Sequence, residues 1–598
     1  MAADEHAAVV VVGSGFGGSV AAYRFAEAGR QVVVLERGRT YPPGSFPRTP
    51  AEMTRAVWDP SGGLHGMLDV WSFRGIDAIV ASGLGGGSLI YANVLLRKDE
   101  RWFVRDQPIP GGGYEDWPVT RADLDPHYDR VERTMMARPY PFAHPPYDST
   151  PKTVAMASAA ADLKLEWQLP PLAVSFAPSA DELPAPGRVI REPSYGNLHG
   201  VPRVTCRLCG ECNIGCNEGA KNSLDHTYLS AAQHKGADLR VRHEVRGVAP
   251  RHGGGYEVRY VIHEDPGLGE PRDTARLPER VISCDRLIMA AGTLGTTWLL
   301  LRNREQFGGL SRALGSRFSG NGDMLGFVSR ARTPDGSHRP LRGSQGPVIT
   351  SAIRVPDEVD APSRRGTSGR GYYVQDAGYP AFADWLTESS QWPGYLRRAV
   401  MIAVARARAR FSRTPGRTLG AELGAFLGGN ELSDGSLPLL GMGRDIPDGV
   451  LRVERDRLTA DWITGTSEGF FASVESTMRD VADALGGTFR PNPLRLVQEL
   501  ITVHPVGGAP MGRHVEEGVV DSRGEVFGFP GLYIADGAAL PGAVGPNPAL
   551  TIAALADRMC DFALSAAPRS RPAAPYPPKT PADEPTTSLS LSEEMPGS

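Results

Sequence analysis

Five apolar residues, Ala8–Val12, run into the turn Gly13-Ser14-Gly15-Phe16-Gly17-Gly18. Small and apolar residues then continue as a helix through SVAAYRFAEAG, and a second apolar run, QVVVLE, ends at Glu36. A short apolar run, a tight turn, a helix and another apolar run predict a β-α-β unit feeding a parallel sheet. A Pro-rich connection leads to a second glycine loop, ASGLGGGSLIYANV, at 81–94. Residues 106–200 read as irregular, apart from a helix near DLDPHYDRVERTMM. A helix is expected around 224–236 and strands through 239–285, after which LIMAAGTLGTTWLLL (287–301) repeats the strand, turn, helix order. Residues 311–495 change to alternating segments with Pro/Gly breaks, which predicts an inserted α+β substrate domain on an antiparallel sheet.

The expected fold is therefore α/β: a Rossmann-like nucleotide domain in two parts, 1–310 and 496–566, around an insert at 311–495. The tail 567–598 holds too little apolar surface to offset ordering entropy and is expected to be disordered. The insert also contains WPGYLRRAVMIAVARARARFSR (392–413), helix-like, with arginines at 397, 398, 406, 408, 410 and 413. Such a face suits either a solvated surface or peripheral contact with an anionic membrane.

Composition narrows the classes. A chain of 598 residues with 41% hydrophobic content is globular, and a net charge of -4 leaves no footprint for nucleic acid. No apolar run approaches the roughly 20 residues of a spanning helix. The acidic N-terminus, MAADEHAAVVVVG, lacks the basic start of a signal peptide, so a cytoplasmic location is expected.

The first loop reads Gly13-x-Gly15-x-x-Gly18, with Glu36 placed 18 residues further on. Glycines at those positions allow a tight turn and close approach of a pyrophosphate to a helix N-terminus, while the carboxylate would accept from ribose hydroxyls. The motif by itself does not separate FAD from NAD. FAD is favoured because no second such loop sits in a β-α-β context, and because GLGGGS (83–88) and YIADG (533–537) complete a site long enough for it. Asp536-Gly537 suits the ribityl chain or pyrophosphate, or is a plain strand-ending turn.

Together, GSGFGGSVAAYRFAEAG, SGLGGGSLIYAN, AAGTLGT, HPVGGAPMG and GPNPALTIAA resemble the glucose–methanol–choline (GMC) oxidoreductases, in their cholesterol-oxidase-like branch. The resemblance implies FAD, a small-molecule alcohol as substrate, and oxygen or a partner as electron acceptor. It also implies oxidation of a secondary alcohol, such as a sterol or another bulky hydrophobic alcohol, by hydride transfer to flavin N5. The alternatives are a dehydrogenase passing electrons through an Fe–S cluster, and an enzyme of a sugar or natural-product alcohol. The cofactor residues it implies are Gly13, Gly15, Phe16, Gly17, Gly18, Glu36, Gly85, Gly86, Gly87, Ser88, Asn93, Gly292, Asp536, Gly537 and Asn547.

In such proteins a histidine in this C-terminal turn lies beside flavin N5, which makes His504 the candidate to take or orient the hydroxyl proton. Asn547, between two prolines, matches the second position of the pair. The branch adds a carboxylate from the substrate domain, for which the nearest candidate is Asp376, or a plain turn residue.

Four of six cysteines lie in Cys206-Arg-Leu-Cys209-Gly-Glu-Cys212-Asn-Ile-Gly-Cys216. This is the spacing of ferredoxin ligands and predicts a 4Fe–4S or 3Fe–4S cluster ahead of zinc or no metal at all. Certain members of the family carry such a cluster near the flavin. Cys284 and Cys560 read as core thiols.

Overall fold

The computed structural model describes residues 5–110, 112–264, 273–360, 369–379, 436–462, 464–492 and 500–565. The arginine-rich segment 392–413 and the tail 567–598 lie outside the described residues.

The N-terminal unit is strand Glu5–Val12, helix Phe16–Glu27 and strand Val32–Leu35. The two strands pair in parallel, and Asp238–Arg240 adds a further parallel strand beyond Val32–Leu35. On the other side, Glu5–Val12 pairs in parallel with the long strand Arg280–Met289. The last residues of that strand, Leu287–Met289, pair in parallel with Leu532–Ile534, and its first half continues antiparallel into Tyr256–Ile262 and then His243–Pro250. Val9, Val10 and Val11 are fully buried, as expected of a parallel strand covered on both faces. Helix Phe16–Glu27 packs against the C-terminal helix Ala549–Ser565, so both ends of the chain share one core.

A second sheet is antiparallel and six-stranded, in the order Glu166–Gln168, Ala352–Val355, Tyr372–Asp376, Leu437–Gly443, Met324–Ser329, Thr488–Pro491. Its strands from 324 onward match the antiparallel sheet expected of the insert. Helix Glu468–Ala484 lies against it, with Phe470, Phe471, Val474, Met478 and Val481 buried at helical spacing. One edge strand, Glu166–Gln168, comes from the stretch read as irregular, and so does helix Pro151–Leu163, which packs beside it. That helix, PKTVAMASAAADL, is built of small residues with little contrast between its faces, so its period is weak in sequence. Proline opens it, where no backbone N–H is needed.

A three-stranded sheet joins the two units: Ile76–Ala81 pairs antiparallel with Leu68–Ser72 and parallel with Leu500–Thr502. Leu500–Thr502 runs directly into His504. Among the described residues, no helix is long and apolar enough to cross a membrane.

Candidate functional site

Four parallel strands end on the same edge of the first sheet, and each end carries a residue singled out in the sequence. Val32–Leu35 leads to Glu36, Glu5–Val12 to the first glycine loop, Arg280–Met289 to Gly292, and Leu532–Ile534 to Asp536. Ligands of open parallel sheets bind at such carboxyl ends.

The first loop is fixed by backbone contact. A Cβ on Gly17 would lie 1.7 Å from the Ala535 carbonyl oxygen, whereas a Cβ on Gly15 would meet nothing within 4 Å. Gly15 thus faces open space at the start of helix Phe16–Glu27, whose N-cap makes no side-chain hydrogen bond. The second loop closes on it: Gly85 N donates to Ser14 Oγ at 3.0 Å, and Gly86 abuts the Gly15 backbone. Gly87, like Gly15 and Gly292, borders open space. Ser88 Oγ donates to Gly85 O at 2.7 Å and accepts from Leu224 N, holding the loop in shape. Phe16 packs edge-on against Tyr91.

Glu36 is buried and accepts from Ser14 Oγ at 2.6 Å and Gly38 N at 2.8 Å. Asp536 accepts from Gly292 N at 2.9 Å, from Thr296 Oγ1 at 2.5 Å and from Ala538 N at 2.9 Å. Gly537 follows it in a short 3-10 turn. Burial pushes the Asp536 carboxyl up to about 6, while these donors pull the other way. Asn93, at a left-handed φ of 71°, is wholly buried, and neither side-chain amide atom has a hydrogen-bond partner among the described residues. Open glycine faces at an uncapped helix start, and a buried amide awaiting partners, fit a dinucleotide threaded between the loops.

His504 is oriented by a carboxylate that sequence reasoning missed. Its Nδ1 lies 2.7 Å from Asp323 Oδ1 and donates to it, which leaves Nε2 as the acceptor. Asn547 is buried, and its Oδ1 accepts from Gln375 Nε2 at 2.9 Å. With its oxygen engaged, the Asn547 amide presents its NH2 group. Gln375 is fully buried, and its own Oε1 has no hydrogen-bond partner among the described residues.

Asp376 is not brought to this pair. It neighbours Gln375 in strand Tyr372–Asp376, so its side chain leaves the opposite face of the sheet. There it accepts from Thr350 N at 3.0 Å, Thr350 Oγ1 at 2.5 Å and Ser351 N at 2.6 Å, with Lys152 Nζ at 3.8 Å. A carboxylate so occupied is a structural anchor, and the strand's alternation puts Gln375 where the carboxylate was sought. That alternation was the available signal. Asp323 had none, because its partner lies 181 residues away.

Cys206, Cys209, Cys212 and Cys216 are unpaired by disulfides and line one cavity together with Lys221, Gly346 and Pro347. Among the described residues, no three of these thiols lie within 4.8 Å of one another. A tetrahedral zinc with Zn–S of about 2.3 Å needs sulfurs about 3.8 Å apart, so a single zinc ion does not match the arrangement. Burial, reinforced by the neighbouring cysteines, pushes the Cys209 thiol up to about 12 and Cys206 well above its usual value. Two buried ammonium groups adjoin the cavity. Lys221 Nζ donates to Leu89 O and Cys212 O, and Lys152 Nζ to Pro347 O and Val348 O. Desolvation brings Lys221 down to about 8. Cys284 and Cys560 are buried in the first core, as expected.

A second group, His199, Asp225 and His226, gathers beside the second glycine loop. His199 Nε2 and Asp225 Oδ2 are 2.7 Å apart and hydrogen-bonded to each other, closer than the roughly 3.4 Å between two ligands of a tetrahedral zinc.

The chain is similar to known proteins over most of its length. The model of the GMC oxidoreductase C-terminal domain matches residues 471–556, and that of an NAD(P)-binding Rossmann-like domain matches 11–44. The chain is 30% identical over 562 residues to cholesterol oxidase of Mycobacterium tuberculosis (strain H37Rv), covering 92% of this chain and 90% of that protein. It is 27% identical to cholesterol oxidase of Acinetobacter baumannii over 573 residues, covering 92% and 93%. Its fold is shared with pyridoxine 4-oxidase from Mesorbium loti, at a TM-score of 0.54 and 15% identity, covering 93% and 99%.

Proposed function

We propose, for a chain that belongs to the GMC oxidoreductase family and so acts on CH–OH donors, that it oxidises the secondary alcohol of a sterol or similarly bulky hydrophobic molecule. The likeness to cholesterol oxidases over nearly the whole chain supports the substrate class. FAD, the cofactor of this family, supplies the hydride acceptor at N5 when bound. Residues of the two glycine loops, Glu36, Asn93, Gly292 and Asp536 would hold it.

The observation that carries the reading is the pairing of His504 with Asp323 and of Asn547 with Gln375. Hydride leaves an alcohol carbon readily only as the hydroxyl proton is taken up. The Asp323 carboxylate keeps the proton of the neutral imidazole on Nδ1, so Nε2 is free to receive the substrate's proton. The Asn547 NH2 donates to the substrate oxygen, and Gln375 holds that amide in orientation. In this reading Asp376 has no part in proton transfer.

The test is anaerobic stopped-flow reduction of the bound flavin by cholesterol. His504→Ala and Asn547→Ala should retain FAD yet lose about 10²–10⁴ in reduction rate, the usual worth of a positioned acid–base group. Near-normal rates in both variants would overturn the assignment.

A second reading concerns where the electrons go. The cysteine cavity, flanked by buried Lys152 and Lys221, supports an Fe–S cluster as a one-electron exit to an external acceptor. Lys221 lies over the Tyr91 ring at 4.8 Å, and Tyr91 packs on Phe16 of the first glycine loop, so the cavity adjoins the flavin site. Anaerobically purified protein should then show a broad absorption beneath the flavin bands and stoichiometric iron and sulfide. A clean flavin spectrum without iron leaves oxygen as the acceptor, with peroxide as the product.

A further inference from the structure

Between Phe318 and Met324 the chain reads Ser319-Gly320-Asn321-Gly322-Asp323, a turn that touches both halves of the reaction centre. Asn321 (φ 55°) and Gly322 (φ 70°) are both left-handed, which asparagine and glycine tolerate best. The turn is pinned by backbone bonds. Ser319 and Val506 exchange N–H···O contacts of 3.0 Å in both directions, and Gly443 N donates to Asn321 O at 3.0 Å.

Two of its three polar side chains, Asn321 and Asp323, are each committed to one catalytic turn. Asp323 accepts from His504 Nδ1 at 2.7 Å through Oδ1, and from Thr502 Oγ1 at 2.9 Å and Val503 N at 2.8 Å through Oδ2. It therefore grips both the imidazole and the backbone that leads to it. Asn321 accepts from Val544 N at 2.8 Å and Gly545 N at 3.2 Å, and donates to Pro546 O at 3.1 Å. Those three residues immediately precede Asn547. The grips are only two residues apart in the chain, so their Cα atoms are no more than about 7 Å from each other.

We propose that Asn321 and Asp323 are positioning residues, and that this one turn sets the placement of His504 and Asn547 relative to each other. The inference rests on the reading of those two as the side chains that handle the substrate hydroxyl. Neither positioning residue touches substrate. Asp323 acts through the His504 ring, and Asn321 acts through the loop carrying Asn547. The turn lies at the entry to strand Met324–Ser329 of the antiparallel sheet, while both gripped turns follow residue 500. The alignment of the pair therefore depends on how that sheet meets the nucleotide unit.

A double-mutant cycle on the FAD-loaded full chain tests this, with anaerobic flavin reduction by cholesterol as the rate. Asp323→Asn should lower the limiting rate about 10²-fold, the scale of losses from displaced catalytic groups, with FAD content and melting temperature as folding controls. The KM for cholesterol should stay within about 3-fold, so that the loss falls on the limiting rate and not on substrate binding. In a His504→Ala background the same change should cost less than about 3-fold, because coupled residues are not additive. Asn321→Gly, which keeps the left-handed turn, should slow the wild type about tenfold, with a loss that likewise vanishes in Asn547→Ala. If Asp323→Asn does not load FAD, Asp323→Glu provides the cycle, keeping the charge but displacing the carboxylate.

Equal losses in the presence and absence of His504 or Asn547, or a loss confined to KM, would overturn the proposal. Near-normal rates in His504→Ala and Asn547→Ala themselves would instead overturn the functional reading beneath it.

Discussion

Gln375 faces Asn547 of the proposed reaction centre, while its neighbour Asp376 is bound to Thr350 and Ser351. A glutamine can donate to Asn547 Oδ1 at every pH, whereas a carboxylate can do so only when protonated. Gln375→Glu therefore leaves Asn547 without its donor near neutrality. The new group is fully buried, which raises its carboxyl pKa above the usual range. Reduction of flavin by substrate should fall about tenfold or more at pH 8, within the cost of about 1–3 kcal/mol for an unmet buried partner, and recover on acidification. Rates measured between pH 5 and 8 check this, and a flat pH response would argue against the Gln375–Asn547 bond.

At the scale of elements, the strand, turn, helix order of residues 5–36 was legible because parallel strands covered on both faces are continuously apolar. The glycine loop was legible for the same local reason. Helix Pro151–Leu163 was not, since a helix of small residues carries almost no face contrast. Nor was the parity of Tyr372–Asp376, where a shift of one residue separates an anchor from a participant. Asp323 and Asn321 become visible only once the sheets have brought residue 321 to residues 504 and 544. The glycines of the first loop now divide into two kinds. Gly17→Ala drives a Cβ into the Ala535 carbonyl and should cost about 1–3 kcal/mol of stability together with FAD binding. Gly15→Ala meets open space and should leave the apoprotein's melting temperature within a degree or two, while weakening FAD binding by blocking the phosphate path. Melting curves with and without added FAD separate the two outcomes.

For the whole molecule, the junction between the units carries a buried carboxyl with a marked pH signature. Asp445 is wholly buried beside Ser319; burial pushes its carboxyl up to about 7, against the pull of Ser319, the Gly322 backbone and Arg370, with Asp323 adding to the rise. A pKa raised on folding means that the native state holds a proton which the unfolded chain has released. Its cost is absent below the unfolded value of about 3.9, grows as pH rises, and is complete above about 7. Wild-type stability should thus decline between about pH 4 and 7 through this group. Asp445→Asn, which still accepts from Ser319, should flatten that decline and melt higher than wild type at pH 8. Equal slopes in the two proteins would assign the decline to other residues.

The order of the four strand ends has a consequence for biosynthesis. Strand Leu532–Ile534 completes the binding edge begun by Glu5–Val12, and helix Ala549–Ser565 closes over the helix that starts at Phe16. A nascent chain therefore exposes its first glycine loop long before the partners of that loop exist. A chain that stops before residue 500 has no His504, no Asp536 and no Asn547, and should not retain FAD.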